Sequence, residues 1–453
     1  MLRFFQRTFV AVLLMTGAGS AFGFSLLGPF APWQVPRLGY AVGGDIGGPM
    51  NQTEEYRWNI RTITYGFDRT FIDYFGLKGV EEVNKAIAIL NNLPAASKMS
   101  TTLSEFPLDT RRFNSQAAAL KLLDLKSIAL TLLIEEMGLA DPERFTWCLR
   151  THVDFPGPIH QYAVIMRNFD PVTWAPSKYV NGTLYTYIVV QSVYGPDLSD
   201  ALETTVDPLA PLGTAVASFS IGLGRFYTGL TRDDVGGLRY MLRKSNRNYE
   251  NILPDMLPAA GGPWTPVGGT NNQGTNLLVN VALREGVDKV VFKQMRNEFG
   301  IGLLIPQTNK YTDEFFVSNG RGGGRLAKQK TQRGLVLPDI LFTADDISTP
   351  GPYPAVAARV DTGNWQDNSG ANTQGGLGLN AGPGVIQPPI VITFNNVGDF
   401  NFNMVPGFVD EATPLVSGWV WGSFDGTTNA PFVYSRDRRS LEDLENAIFL
   451  EDN

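Results

Sequence analysis

Histidine and cysteine are almost missing from this chain: its 453 residues include two of the first and one of the second. A single cysteine excludes an intrachain disulfide, and a chain of this length can bury an adequate core without one. Cys148 stands between Trp147 and Leu149 and reads as a buried apolar thiol. A nucleophile would want an imidazole base. His152 is close in sequence, but the flank Phe145-Thr-Trp-Cys-Leu-Arg150 has no glycine or turn to expose a thiol. Basic charge is scarce too: a net charge of -7 offers no general attraction to nucleic acid. Apolar runs of membrane-spanning length are missing throughout. No G-x-x-x-x-G-K-[ST] precedes a helix, so no P-loop is expected, and no cofactor is expected either.

The chain opens with the pattern of a secretory signal over residues 1–23. Arg3 and Arg7 give a basic start, and Phe9 to Met15 is a short apolar core. Gly19-Ser20-Ala21 or Ala21-Phe22-Gly23 offers the small residues for cleavage. This predicts a secreted, periplasmic or cell-surface protein with no membrane span after signal removal. Residues 24–56, rich in glycine and proline, read as an extended lead-in. An α+β region is predicted over 57–250. Arg61 to Asp68 alternates like a strand, with Ile63, Tyr65 and Phe67 on one face. Val80, Val83, Ala86, Ile87, Leu90 and Leu93 then form a helical stripe.

The stretch Ser115 to Asp141 reads as one or two buried helices ending at Gly138. Leu122, Leu125, Ile128, Ala129, Leu132, Leu133 and Met137 recur at helical steps, and Leu130 and Ile134 widen the stripe. Lys121, Asp124 and Lys126 mark a wet patch before it. Gly138 suits a C-cap with positive φ, and Asp141-Pro142 stops the helix. Further on, Thr231 is an N-cap with Asp234 as its capping-box partner, and Asp233 and Asp234 suit the positive end of the dipole. Val235, Leu238, Met241 and Leu242 give that helix its buried face.

Strand, helix, long helix with Gly-Leu, then Tyr227-x-Gly-Leu-Thr-x-Asp-Asp-Val-x-Gly-Leu238: over residues 60–243 this order resembles a degenerate form of the matrixin branch of the zinc metalloproteases. In that family the long helix carries H-E-x-x-H-x-x-G-x-x-H. With the family's glycine on Gly138, its three histidines fall at Thr131, Glu135 and Asp141, and its glutamate at Leu132. All four are replaced here. The family's methionine turn falls on Ser218 to Arg225, which has no methionine, and Cys148 to about Leu212 is an insertion. The resemblance therefore implies the scaffold without its zinc chemistry.

Two other catalytic readings remain open. Glu135 and Glu136 could act as acid and base, although neighbouring residues do not face each other on a helix, and a solvated helix end is the simpler reading. His152, Asp154 and His160 could hold a metal with two imidazoles and one carboxylate. The histidines are eight residues apart and separated by prolines, and ordinary loop or strand-end positions are the simpler account. Tyr162–Met166 and Thr183–Tyr194 are β-rich, with Asn181-Gly-Thr183 suited to a tight turn. Tyr185, Tyr187 and Tyr194 with Trp174 could form a sugar-stacking face, against which cross-strand packing is the plainer expectation.

A Gly/Pro linker is predicted over 251–275, followed by a mostly β, sandwich-like region over 276–435 built of short strands with Gly, Asn and Pro turns. Asp361 to Pro388, rich in Gly and Asn, is a long loop within it. Arg321, Arg325, Lys328, Lys330 and Arg333, laced with glycine, read as a solvated hairpin tip or an anion-binding loop. Residues 436–453 form an acidic C-terminal helix with Leu441, Leu444, Ile448 and Phe449 as its stripe. The fold class is α+β. The expected function is a secreted or envelope-associated, non-catalytic binding or structural protein, whose partner is an envelope polymer or another extracellular protein. The alternative is a secreted hydrolase, metal-dependent or carboxylate-based.

Overall fold

The computed structural model describes residues 21–28, 32–34, 48–155, 160–191, 199–259, 278–298, 300–318, 324–347, 356–362, 366–367, 384–396 and 420–434. The expected signal core and C-terminal helix, most of the loop at 361–388 and the strand expected at Phe400–Val405 lie outside the described residues. The fold is α+β with mostly β content.

In chain order the main elements begin with β1 (Phe24–Gly28), β2 (Thr62–Phe67) and α1 (Arg69–Asn91). β3 (Leu122–Asp124), α2 (Leu125–Glu135), β4 (Cys148–Asp154) and β5 (His160–Ile165) follow. Next come β6 (Thr183–Gln191), β7 (Ser199–Thr205), α3 (Arg232–Leu242) and β8 (Arg247–Glu250). The remainder is β9 (Ala282–Glu285), β10 (Val291–Gln294), β11 (Gln307–Ser318), β12 (Gly324–Leu335) and β13 (Ile340–Asp345). β14 (Ala358–Asp361), β15 (Ile390–Asn395), β16 (Val420–Ser423) and β17 (Phe432–Tyr434) complete it.

The central sheet has five strands in the order β10-β2-β13-β15-β14. The first four run parallel and β14 is antiparallel at the edge. Parallel strands are usually covered on both faces, and β2 is buried from Ile63 to Phe67. Its polar Thr64 is tolerated there because Asp339 accepts both its backbone N–H at 2.7 Å and its hydroxyl at 2.8 Å. Asp68 ends the strand and caps α1 by accepting from Phe71 N. That places Phe71 and Phe75 on the sheet, where their rings meet Phe67, Phe342 and Phe394 at centroid distances of 4.9 to 6.4 Å.

This pairing redraws the expected division of the chain. β10, β13, β14 and β15 all come from beyond residue 275, yet they build their sheet on β2. A second sheet joins Arg247–Glu250, Ala282–Glu285, the β11–β12 hairpin and Leu257–Pro258. The strands read as a separate sandwich are therefore divided among several sheets, and both five-stranded sheets include residues from before 260. The lead-in holds a buried strand as well: β1 is covered along its length and pairs with Phe169, Leu139–Ala140 and Gly48–Pro49. From Arg325 to Arg333 the basic run is a strand rather than a loop tip, and Arg321 lies outside the described residues. Over β12 it pairs with β11, Lys328 reaches Glu314 at 2.5 Å, and Arg333 is buried between Asp255 and Asp339.

The apolar stretch is broken where the 3.6 period gave no warning. A one-turn helix, Ser115–Ala119, stops at Lys121, whose φ is 53°. Leu122–Asp124 then forms β3, parallel to β16. Asp124, expected in a wet patch, is buried and caps α2 through Ser127 N at 3.0 Å. α2 ends as predicted before Gly138, whose φ is +100°. A side chain at Gly138 would meet Tyr56 O at 2.4 Å, so close approach of the chain also demands glycine there.

Candidate functional site

At the C-terminal end of α2 lies a cavity of about 190 Å³ lined by Leu27, Thr131, Glu135, Leu139, Ala140, Asp141, Phe145, Ala217 and Phe219. Thr131 and Glu135 are four apart on the helix and so share a face. Asp141 enters from the turn after Gly138. Its Oδ1 accepts the backbone N–H groups of Glu143 at 2.9 Å and Arg144 at 3.1 Å, which fixes the turn. Burial pushes the Asp141 carboxyl up to about 7; the backbone hydrogen bonds oppose this, and the charges of Glu143 and Glu203 add to it. The Thr131 hydroxyl donates to Ser127 O at 3.1 Å.

The far wall is the segment 213–219, and two buried carboxylates hold it. Glu143 accepts from Gly213 N at 2.8 Å and Thr214 N at 2.9 Å. Asp234 accepts from Val216 N and Ala217 N at 3.1 and 3.0 Å, while also receiving the Thr231 N–H and hydroxyl of the predicted capping box. Phe219 follows in the left-handed region with φ 48°. The sequence marked Asp234 only as a cap and gave no signal for Glu143. Their long reach across the chain is visible only once the fold is known.

The other predicted residues fall as follows. Glu136 is fully buried, not a solvated helix end, and it is Glu135 of the two that lines the cavity. Leu132 belongs to the core. His152 is half-buried, with its ring stacked on Tyr162 at 4.9 Å. Strand register sets Asp154 opposite His160 and His152 opposite Tyr162. The side chains of Asp154 and His160 lie outside the described residues, and among those described no group of three His, Cys, Asp or Glu is placed to hold a metal. Cys148 is buried, and its thiol is pushed up to about 12 by burial, which removes it as a nucleophile near neutral pH. Of the expected sugar-stacking face, Tyr185 is buried, Tyr187 packs on Trp147, and Trp174 lies against Phe24 and Tyr240, while Tyr194 lies outside the described residues.

Two roomier depressions, of about 270 and 410 Å³, include ion pairs in their linings, Arg61 with Glu314 and Arg284 with Asp313 in one, Lys78 and Lys85 with Glu82 in the other. The α2 cavity is the better candidate because it joins two carboxylates to apolar walls. No protein-family model matches the chain, and neither the curated proteins nor the solved structures contain a match. No helix among the described residues is long and apolar enough to cross a membrane.

Proposed function

We propose that this chain is an exported, non-catalytic binding protein on a degenerate matrixin-like scaffold, and that the α2 cavity receives a lysine or arginine side chain of an extracellular protein partner. The observation that carries this reading is the lining of one cavity by Thr131, Glu135 and Asp141. Those are the three positions to which the resemblance assigns metal ligands. Their chemistry does not fit zinc: two carboxylates and an engaged hydroxyl are hard oxygen donors, with no imidazole among them. Leu132 leaves no carboxylate to take a proton from a bound water. The same set suits a cationic side chain. Leu27, Leu139, Phe145 and Phe219 can cover an aliphatic stem, while Glu135 and Asp141 meet the charged head. The cavity volume is that of about one such side chain, which favours a protein over an extended envelope polymer.

The second reading, a secreted metal-dependent hydrolase, draws support from the register that sets Asp154 opposite His160. One experiment separates the two. The purified exported protein is tested for zinc by elemental analysis, for cleavage of a broad peptide library, and for binding of lysine- and arginine-containing peptides. We expect no chelator-sensitive cleavage, and peptide binding that weakens about tenfold or more in Glu135→Gln. Chelator-sensitive cleavage abolished by His152→Ala would decide for the hydrolase.

A further inference from the structure

Trp33 and Phe145 pack on the small apolar cluster of Cys148, Leu149 and Ala201, and three arginines lie over their rings. Arg144 covers Phe145 at 5.8 Å and has acids of its own: it reaches Asp200, and Glu203 at 3.6 Å. Arg150 and Arg167 share the Trp33 ring, with guanidinium carbons 4.7 and 5.9 Å from its centroid. Among the described residues neither of these two forms an ion pair. Arg167 Nη1 donates to Met166 O at 3.4 Å, and its Nε is buried with no hydrogen-bond partner. Burial holds the Arg167 guanidinium below its usual range; the charge of Glu54 opposes this and that of Arg150 adds to it. Glu54 in turn accepts the Asn51 N–H through Oε2 at 3.2 Å. An aromatic face attracts a cation but accepts nothing in the plane of a guanidinium, so Trp33 holds both side chains without satisfying their N–H groups.

Local structure brings the two together. The register of β4 and β5 slips between Leu149 and Thr151, which leaves Arg150 as the extra residue of a β-bulge, a device that re-aims a side chain. Arg167 follows the end of β5, where its own N–H donates to Phe145 O at 3.1 Å. Both arginines are half-buried, so a ligand can reach them.

We propose that Arg150 and Arg167 form a receptor for a carboxylate, supplied by an aspartate or glutamate side chain of a protein partner. Each guanidinium is a planar fork that matches the two oxygens of a carboxylate. Arg150 and Arg167 less Glu54 leave a local balance of one positive charge, which a singly charged group cancels and a doubly charged phosphate overshoots. Neither arginine lines the α2 cavity, so the proposal does not depend on the reading of that cavity.

The test uses the purified exported protein and four probes: an end-blocked Gly-Glu-Gly peptide, its Gly-Gln-Gly counterpart, acetate and inorganic phosphate. Binding is read by ligand-detected NMR, which reports weak association. The glutamate peptide is expected to bind about tenfold or more tightly than the glutamine peptide, and Arg150→Gln and Arg167→Gln each to weaken it about tenfold. Arg150→Gln is expected to melt within about 2 °C of the wild type, since it relieves one like charge while giving up one ring contact, so its lost binding is not lost fold. Arg150→Lys keeps the charge but not the fork and should also bind more weakly, which carries the test if a glutamine variant does not fold. Equal binding of the two peptides, binding unchanged in both Arg150 variants, or no binding by any probe overturns the proposal. Phosphate binding more tightly than the glutamate peptide overturns the carboxylate assignment, and acetate binding as tightly as the peptide overturns the protein source in favour of a small free carboxylate.

Discussion

Arg57 offers the sharpest test of how the molecule is held together. It is buried, with Nε 2.5 Å from Glu250 Oε1, Nη1 2.7 Å from Asn246 O and Nη2 3.1 Å from Arg284 O. Arg284 in turn makes a two-pronged contact with Asp313, both distances being 2.9 Å. Arg57→Ala removes the cation and leaves Glu250 buried with its charge uncompensated. Burial already raises the Glu250 carboxyl, and Arg57 is the principal group opposing that rise. Breaking a buried pair from one side costs about 3–5 kcal/mol, and the two lost bonds to carbonyl oxygens fall within that figure because they share the same guanidinium. Replacing both partners, Arg57→Met with Glu250→Leu, should restore most of the loss. The assay is urea unfolding followed by tryptophan fluorescence. Because Arg57 and Glu250 precede the 251–275 stretch and Arg284 follows it, the whole transition is expected to move as one. A loss under about 1 kcal/mol, or a shift in only one of two separate transitions, would refute the reasoning.

Other perturbations address the core and the cavity. Phe71→Ala removes a ring packed between Phe67, Phe75 and Phe394 and is expected to cost about 3–5 kcal/mol by the same unfolding assay. Asp141 has a folded-state pKa raised above its unfolded value, so the folded chain binds the proton more tightly and stability falls as pH rises from about 4 through 7. Asp141→Asn should flatten that slope and gain about 1 kcal/mol at pH 8, the figure being reduced because the carboxyl is partly open to the cavity. A melting series between pH 4 and 8 would show it.

Local readings fared better than long-range ones, for physical reasons. Thr231 with Asp234, and Gly138 at the end of α2, are short-range signals: a hydroxyl or a missing Cβ acts within four residues. The strand at Ile63–Phe67 was legible from alternation. Its partners were not, since alternation names a face and says nothing of which strand pairs or in which direction. The break at Lys121 escaped notice because Leu120, Leu122 and Leu123 continue an apolar run that suits a buried strand as well as a buried helix. The long hairpin strand at Gly324–Leu335 was missed because its alternating arginines and lysines resemble a solvated loop until Arg333 is seen between Asp255 and Asp339. For the cavity, the spacing of Thr131, Glu135 and Asp141 was readable, but the wall at 213–219 depends on carboxylates that no local pattern identifies.

The parallel pairing of β2 has a consequence for synthesis. Thr64 waits for Asp339, a separation of 275 residues, and Asn114 waits for Asp425 O, a separation of 311. At about 5–20 residues per second, the early strands stay without their neighbours for on the order of ten seconds to a minute. During that interval the apolar segments of β2, α1 and α2 have no sheet to cover them, and slow, non-local closure of this kind exposes a nascent chain to aggregation. Such a chain gains from being kept extended until its last residues arrive, which is also the state in which a polypeptide is threaded through a narrow translocation pore.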